Sequence, residues 1–260
     1  VEALMLWMLM PRLERWWGPR RFILFVAMTA IAASTAGTLA GFFSLEMSRS
    51  SIAQRQVSMR SGVSTVRMRD GTATSADYTR LEAAIEELRA EPCSVLVDDM
   101  AGQTLMQIRS KARKMVRKFG VKVIFIDYLQ LLTAPESARE SRQVEVAAIS
   151  RGLKALAREL SIPVVALAQL NRDVEGRKDM RPRISDLRES GAIEQDADVI
   201  MLLHREAYYH LGDEEWKLEH SEKLNVAEII VAKQRNGPTD TIELLFEPHT
   251  PQLRSRFVDI

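Results

Sequence analysis

The sequence predicts an α/β fold: a mostly parallel sheet with flanking helices, finished by an antiparallel hairpin at the C-terminus. Three observations carry this. Val121 to Ile126 is almost continuously apolar and largely β-branched, the pattern of a strand buried on both faces, as parallel sheets require. Similar runs, Pro163–Ala168 and Val199–Leu203, follow it, the first after a helix over Arg142–Ser161 with Val146, Ile149, Leu153, Leu156 and Leu160 at helical spacing. Strands that alternate with helices are joined by crossovers and therefore run parallel. Finally, Ala227–Lys233 and Thr241–Phe246 are linked by Gln234-Arg235-Asn236-Gly237-Pro238, which has the chemistry of a hairpin turn.

Composition narrows the class without naming a partner. The 260 residues are 46% hydrophobic and 27% charged, ordinary for a soluble globular protein. With a net charge of +1, nucleic-acid binding would have to come from local patches. The single Cys93 excludes an intramolecular disulfide and suits a reducing cytosol. One cysteine and four scattered histidines leave no credible structural zinc site.

Residues 1–40 form an atypical N-terminal segment. Trp7, Trp16 and Trp17 crowd around Arg12, Arg15, Arg20 and Arg21, and Phe22 to Phe43 is uncharged. At about 1.5 Å per helical residue that run is long enough to cross about 30 Å of hydrocarbon. It is nevertheless rich in Ala, Thr, Gly and Ser, and a membrane span ranks below an atypical or buried segment. From Gly41 the texture changes. A short strand is expected to end at Glu46, and Ser48 to cap a helix through Ser61. Thr74–Ala90 is amphipathic, with Leu81, Ala84, Ile85 and Leu88 on one face. Ser94–Asp99 is the next strand. Thr104–Phe119 is helical and carries six basic residues, read as a solvated face. A polar loop, Thr133–Ser141, follows the strand at Val121. Asn171–Arg183 is read as a charged loop, Ile184–Asp198 as a loop with a short helix, and His204–Lys223 as a polar excursion.

Three expected strands end in a polar residue of catalytic type: Glu46, Asp127 and Gln169. In open α/β sheets ligands sit beyond the carboxyl ends of the strands, so parallel neighbours would bring these side chains to one rim. Phosphoryl transfer needs such a set: an acid for Mg²⁺, a group to orient water, and a polar sensor of the terminal phosphate.

Phe43-Ser-Leu-Glu-Met47, Ile126-Asp-Tyr-Leu-Gln130, Ala168-Gln-Leu-Asn-Arg172, the Ser185–Asp198 run with Leu187-Arg-Glu-Ser-Gly191 within it, and Lys233-Gln-Arg-Asn-Gly-Pro238 resemble the ordered motifs of DnaB-type replicative DNA helicases. The resemblance covers Gly41 to the C-terminus and implies a RecA-like helicase core over 41–260. It further implies a cytoplasmic, ATP- and Mg²⁺-dependent homo-hexamer that moves 5′→3′ along single-stranded DNA and unwinds duplex at replication forks, with primase and a helicase loader as partners. On that resemblance Glu46 polarises the attacking water, Asp127 supports Mg²⁺, and Gln169 senses the γ-phosphate. Lys233 and Arg235 form a basic pair that reaches a neighbour's nucleotide. Arg188, Glu189 and Gly191 belong to the DNA-contacting loop.

The chain departs from the family where a P-loop is expected, and the family's N-terminal domain and linker helix are not expected in it either. No Gly-Lys pair occurs anywhere in it, so the phosphate-binding P-loop is not found, and the first strand and P-loop are expected to be absent or replaced. Without backbone N–H groups cradling the phosphates, and without the lysine and the Mg²⁺-binding hydroxyl, nucleotide binding loses its main support. A gene fragment or a frame-disrupted copy, with residues 1–40 out of frame, is the favoured explanation. The alternatives are a degenerate, non-catalytic DNA-binding or ring-associated subunit and a membrane-anchored derivative.

Overall fold

The computed structural model describes residues 5–10, 39–90, 95–133, 141–171, 174, 176–177, 179–187, 191–250 and 252–256. In chain order the strands are β1 Met5–Met10, β2 Ala40–Ser44, β3 Val95–Asp98, β4 Val123–Asp127, β5 Val164–Gln169, β6 Val199–His204, β7 Val226–Gln234, β8 Thr241–Glu247 and β9 Gln252–Ser255. The helices are α1 Arg49–Ser61, α2 Thr65–Asp70, α3 Ser75–Ala90, α4 Leu105–Phe119, α5 Arg142–Leu160, α6 Gly191–Asp196 and α7 Glu214–Glu219. One sheet runs β3-β2-β4-β5-β1-β6-β7-β8-β9. The pairings from β3 to β6 are parallel and the last three antiparallel.

Local chemistry explains the helix ends. Ser48 accepts the Ser51 N–H at the start of α1. Thr104 and Gln107 form a reciprocal capping box on α4, and Ser141 accepts the Val144 N–H to open α5. Helix α4 stops at Gly120, whose φ of 73° is left-handed, a conformation that glycine adopts without a Cβ penalty.

Period-2 alternation builds a core on each side of the sheet. Ile124 and Ile126 of β4, Val164, Ala166 and Ala168 of β5, and Ile200 and Leu202 of β6 join Ile108 and Ala112 of α4 and the inner face of α5. The intervening Val123, Phe125, Val165, Leu167 and Leu203 turn the other way, toward Ile52 of α1, Ile229 and Phe246. Strand β4 is therefore buried on both faces, as its composition predicts.

Several expectations change. The strand expected to end at Glu46 stops at Ser44, and Glu46 lies in the turn beyond it. Of the two expectations for the first strand, absent or replaced, absence is ruled out: Met5–Met10 occupies the middle of the sheet, between β5 and β6. Strand β9 adds a third antiparallel strand. The basic face of α4 is only partly solvated, because Arg109 and Arg113 both bind Glu159 of α5 and Lys111 binds Asp98. Among the described residues no helix is long and apolar enough to cross a membrane; most of Phe22–Phe43 lies outside them.

Ile124 is fully buried and Ile242 is 49% exposed. Ile124→Val should cost about 1 kcal/mol in urea unfolding, while Ile242→Val should stay near zero.

Candidate active site

Strands β2, β4 and β5 are adjacent and parallel, so their carboxyl ends share one rim. Ser44 is in register with Asp127, and the β4–β5 register continues from Ile126↔Ala166 toward Gln169 two residues beyond Leu167. By strand parity Asp127 and Gln169 follow Phe125 and Leu167 onto the face that carries α1. The rim thus gathers Glu46, Asp127 and Gln169. The turn that carries Glu46 is shaped by its neighbour: Ser44 Oγ donates to the Met47 carbonyl at 2.8 Å and accepts the Met47 N–H at 3.2 Å. The Leu45 N–H donates to the Asp127 carbonyl at 2.8 Å, tying that turn to β4.

Asp127 is 1% exposed, and neither carboxylate oxygen has a hydrogen-bond partner among the described residues. Burial, reinforced by the nearby negative charge of Glu46, pushes its pKa up to about 8, against the pull of Arg55 on α1. A buried carboxylate beside another acid has strong need of a cation. Among the described residues no three acidic, cysteine or imidazole side chains gather into a metal cage. Asp127 with Glu46 nearby is a donor set of the size from which Mg²⁺ commonly takes one or two carboxylates, completing its octahedron with water and phosphate oxygens. Asp98 and Asp99, at the end of the neighbouring β3, are committed elsewhere. Asp98 binds Lys111 at 2.7 Å, and Asp99 accepts the Arg49 backbone N–H at 2.9 Å and pairs with its side chain.

Gln130 is the functional neighbour that motif reading does not assign. Its Nε2 donates to the Gln169 carbonyl at 3.3 Å, and its Oε1 accepts the Gln169 N–H at 3.2 Å. One side-chain amide thus grips both backbone groups at the end of β5. Arg142 holds Gln130 in turn, donating to its carbonyl at 2.7 Å. Immediately past Gln169, Leu170 bridges to Leu187, and the Asn171 N–H donates to the Asp186 carbonyl at 2.7 Å. Asp186 is itself fixed by Arg177 Nη1 at 2.9 Å and by the Arg183 N–H at 2.7 Å. The segment leading to residue 188 is therefore fastened directly to the strand end that carries Gln169. Arg188 and Glu189 lie outside the described residues, and Gly191 opens α6.

Lys233 and Arg235 are not brought to this rim. Four strand spacings, about 19 Å at about 4.8 Å each, separate β7 from β4. Both contact the C-terminal end of α6, on the α5 side of the sheet. Lys233 donates to the carbonyls of Glu194 and of Ala197, the latter at 2.8 Å, and Arg235 pairs with Asp198 at 3.0 Å. Their expected common face is observed, but in this chain it points to α6, whose terminal carbonyls attract cations. Burial, with Arg235 adjacent, lowers the Lys233 pKa.

Comparisons with known proteins identify the family and the fold. The sequence model of the DnaB-like helicase C terminal domain matches residues 18–255. The chain belongs to that family. Over 219 residues it is 46% identical to the replicative DNA helicase DnaB of Leifsonia xyli subsp. xyli, covering 84% of the chain and 45% of that protein. It is 42% identical over 228 residues to the Geobacillus stearothermophilus DnaB, covering 85% and 48%. The chain thus spans about half the length of these curated relatives. The structure is similar to a solved ATPase domain, with a TM-score of 0.84 and 34% identity over 98% of this chain and 86% of that one. It is equally similar to a DnaB-like replicative helicase described with its interactions with primase, at 0.84 and 35% identity over 97% and 57%. The fold is RecA-like.

Two measurements check the rim. Because folding raises the Asp127 pKa from about 4 to about 8, ionising it costs stability: nothing below pH 4, a growing amount from pH 4 to 8, and a constant amount above. Each unit is worth about 1.4 kcal/mol. Asp127→Asn should therefore be more stable than the parent by several kcal/mol at pH 8 and equal to it near pH 4, measured as the difference between urea titrations. Gln130→Ala should speed amide exchange at Gln169, with a global loss of about 1–2 kcal/mol; unchanged protection there would show that the grip is immaterial.

Proposed function

We propose that this chain is the motor core of a DnaB-type replicative helicase, built to work as a homo-hexamer that moves 5′→3′ on single-stranded DNA and unwinds duplex at replication forks. The observation that carries the reading is the shared rim of Glu46, Asp127 and Gln169, with Gln169 tied through Gln130 and the 184–187 turn to the loop that follows. Glu46 would polarise water, Asp127 would support Mg²⁺ and Gln169 would sense the terminal phosphate. The Arg188–Gly191 loop would contact the DNA backbone through largely sequence-independent interactions. Lys233 and Arg235 lie on the far side of the sheet from that rim, which supports a role toward a neighbouring subunit's nucleotide. The cytoplasm, where replication takes place, is the setting this reading requires, with primase and a loader as its partners.

Nucleotide is where this chain and the reading part. Strand β1 fills the position from which a phosphate loop would emerge, yet the stretch joining it to β2 holds no Gly-Lys pair. The residues fit Mg²⁺ but supply no lysine of the P-loop kind to the phosphates. That favours, as a second reading, a non-catalytic DNA-binding subunit that joins active rings.

ATP turnover with Mg²⁺ is expected to be no faster than that of Glu46→Ala; turnover well above that control would restore the catalytic reading. Single-strand binding should weaken steeply with salt and fall in Arg188→Ala, without dependence on nucleotide. Binding indifferent to both salt and Arg188 would remove the DNA assignment in either form.

A further inference from the structure

The stretch 188–190 is flanked by two elements that both fasten to strand β7. Before it stands the 184–187 turn, anchored through a chain of charged groups. Arg181 grips Glu228, near the start of β7, as a two-pronged fork: Nη1 donates to Oε2 at 2.8 Å and Nη2 to Oε1 at 3.0 Å. The Arg181 carbonyl accepts Arg177 Nη2 at 2.9 Å, and the same guanidinium holds the Asp186 carboxylate. After it stands α6, whose terminal carbonyls receive Lys233, near the end of β7. Glu228 and Lys233 are an odd number of residues apart, which in a regular strand would put them on opposite faces. The register shift between Ile200 and Met201 removes that difference. Glu228 lies opposite His204 and Lys233 opposite Ile200, two positions on one face of β6. Both anchors therefore act on the α5 side of the sheet.

An arginine on a partly exposed carboxylate commonly adds little to stability, and that ordinary reading would leave Glu228 as a surface acid. Its surroundings argue otherwise. Glu228 lies directly across from Glu243 of β8, where like charges oppose pairing. It also lies 3.9 Å from His204, which is 5% exposed. Glu243 has Arg256 as its cation; Glu228 has Arg181, brought from a loop 47 residues away in sequence. We infer that the Arg181–Glu228 pair is a latch that sets where the 184–187 turn, and hence the stretch beginning at residue 188, stands relative to the sheet. Arg181 and Glu228 are then positioning residues for single-stranded DNA and do not touch it. The inference rests on the assignment of the Arg188–Gly191 loop to DNA and adds the device that orients it. A fork of two parallel bonds fixes orientation as well as distance. Arg177 passes that orientation from the Arg181 backbone to Asp186, whose carbonyl accepts the Asn171 N–H.

The sign of one substitution separates the latch from plain electrostatics. Removing a carboxylate from a DNA-binding chain ordinarily strengthens binding, because a repulsion toward phosphate is lost. Glu228→Gln should instead weaken binding of a fluorescent dT oligonucleotide by the full chain about fivefold, and Arg181→Gln should match it. The double variant should lose no more than either alone. The slope of affinity against salt should keep the parent's value, since no phosphate contact is removed. Should Arg181→Gln fail to fold, Arg181→Lys, which keeps the charge and loses the fork, should weaken binding in the same direction. In the absence of DNA, amide exchange at Asn171 and Leu187 should quicken in both single variants. Tighter or unchanged binding by Glu228→Gln would overturn the proposal. So would a smaller salt slope in Arg181→Gln, which would make Arg181 a phosphate contact. Unchanged exchange at both amides would overturn it whatever the DNA result. Failure of the parent to bind the oligonucleotide, or indifference of binding to Arg188→Ala, would instead remove the DNA assignment, and exchange alone would then decide the latch.

Discussion

The unsatisfied carboxylate of Asp127, held at the end of a strand buried on both faces, is the constraint on which the rest of the structure depends. Position 127 continues the alternation that sends Val123 and Phe125 toward α1, so nothing short of a register shift could turn its side chain away. The surrounding structure has to supply the stability that an ionised Asp127 removes. It does so through two cores that share β4, with Ile124 and Ile126 on one side and Phe125 on the other, all nearly inaccessible to solvent. A polar group kept unpaired at such a site is a common mark of function maintained against stability.

From that acid the order of the rim follows by short covalent and hydrogen-bonded steps. Ser44, in register with Asp127, shapes the turn that presents Glu46. Gln130, three residues beyond Asp127, closes on the backbone of Gln169. A displacement at the end of β4 therefore has a direct mechanical route to the end of β5, and through Leu170 and Asp186 to the turn before residue 188. Each link involves backbone groups in at least one partner, so the route does not depend on long, freely rotating side chains.

Much of this is legible in the residues because it rests on local rules. Continuous apolar runs mark β4 and β5, Ser48 and Thr104 mark helix starts, and the Asp and Gln at two strand ends mark the rim. What stays hidden depends on non-local contacts. Met5–Met10 carries no alternation or charge pattern to set it apart from a stretch crowded with Trp and Met, and only its parallel partners β5 and β6 identify it as a central strand. Strand β9 is short, and its pairing is supplied by β8. Gln130 is visible within its motif, but an amide's role is set by the backbone it meets, here 39 residues away. The partners of Lys233 are likewise visible only in the fold, because the carbonyls that receive it belong to a helix end formed by distant sequence.

The two faces of the sheet are therefore unequally complete. On the α1 side, Asp127, Glu46 and Gln169 share the rim, while the stretch between β1 and β2 lacks the glycine–lysine pair through which a phosphate chain is usually held. On the α5 side, Arg109, Arg151, Lys154, Arg158 and Arg235 line one groove with Glu159 and Asp196, and Arg151 and Arg158 make no hydrogen bond or ion pair with the described residues. Coulomb attraction falls only gradually with distance in a partly enclosed groove, so a surface of that kind attracts anions whether or not the opposite face can hold them.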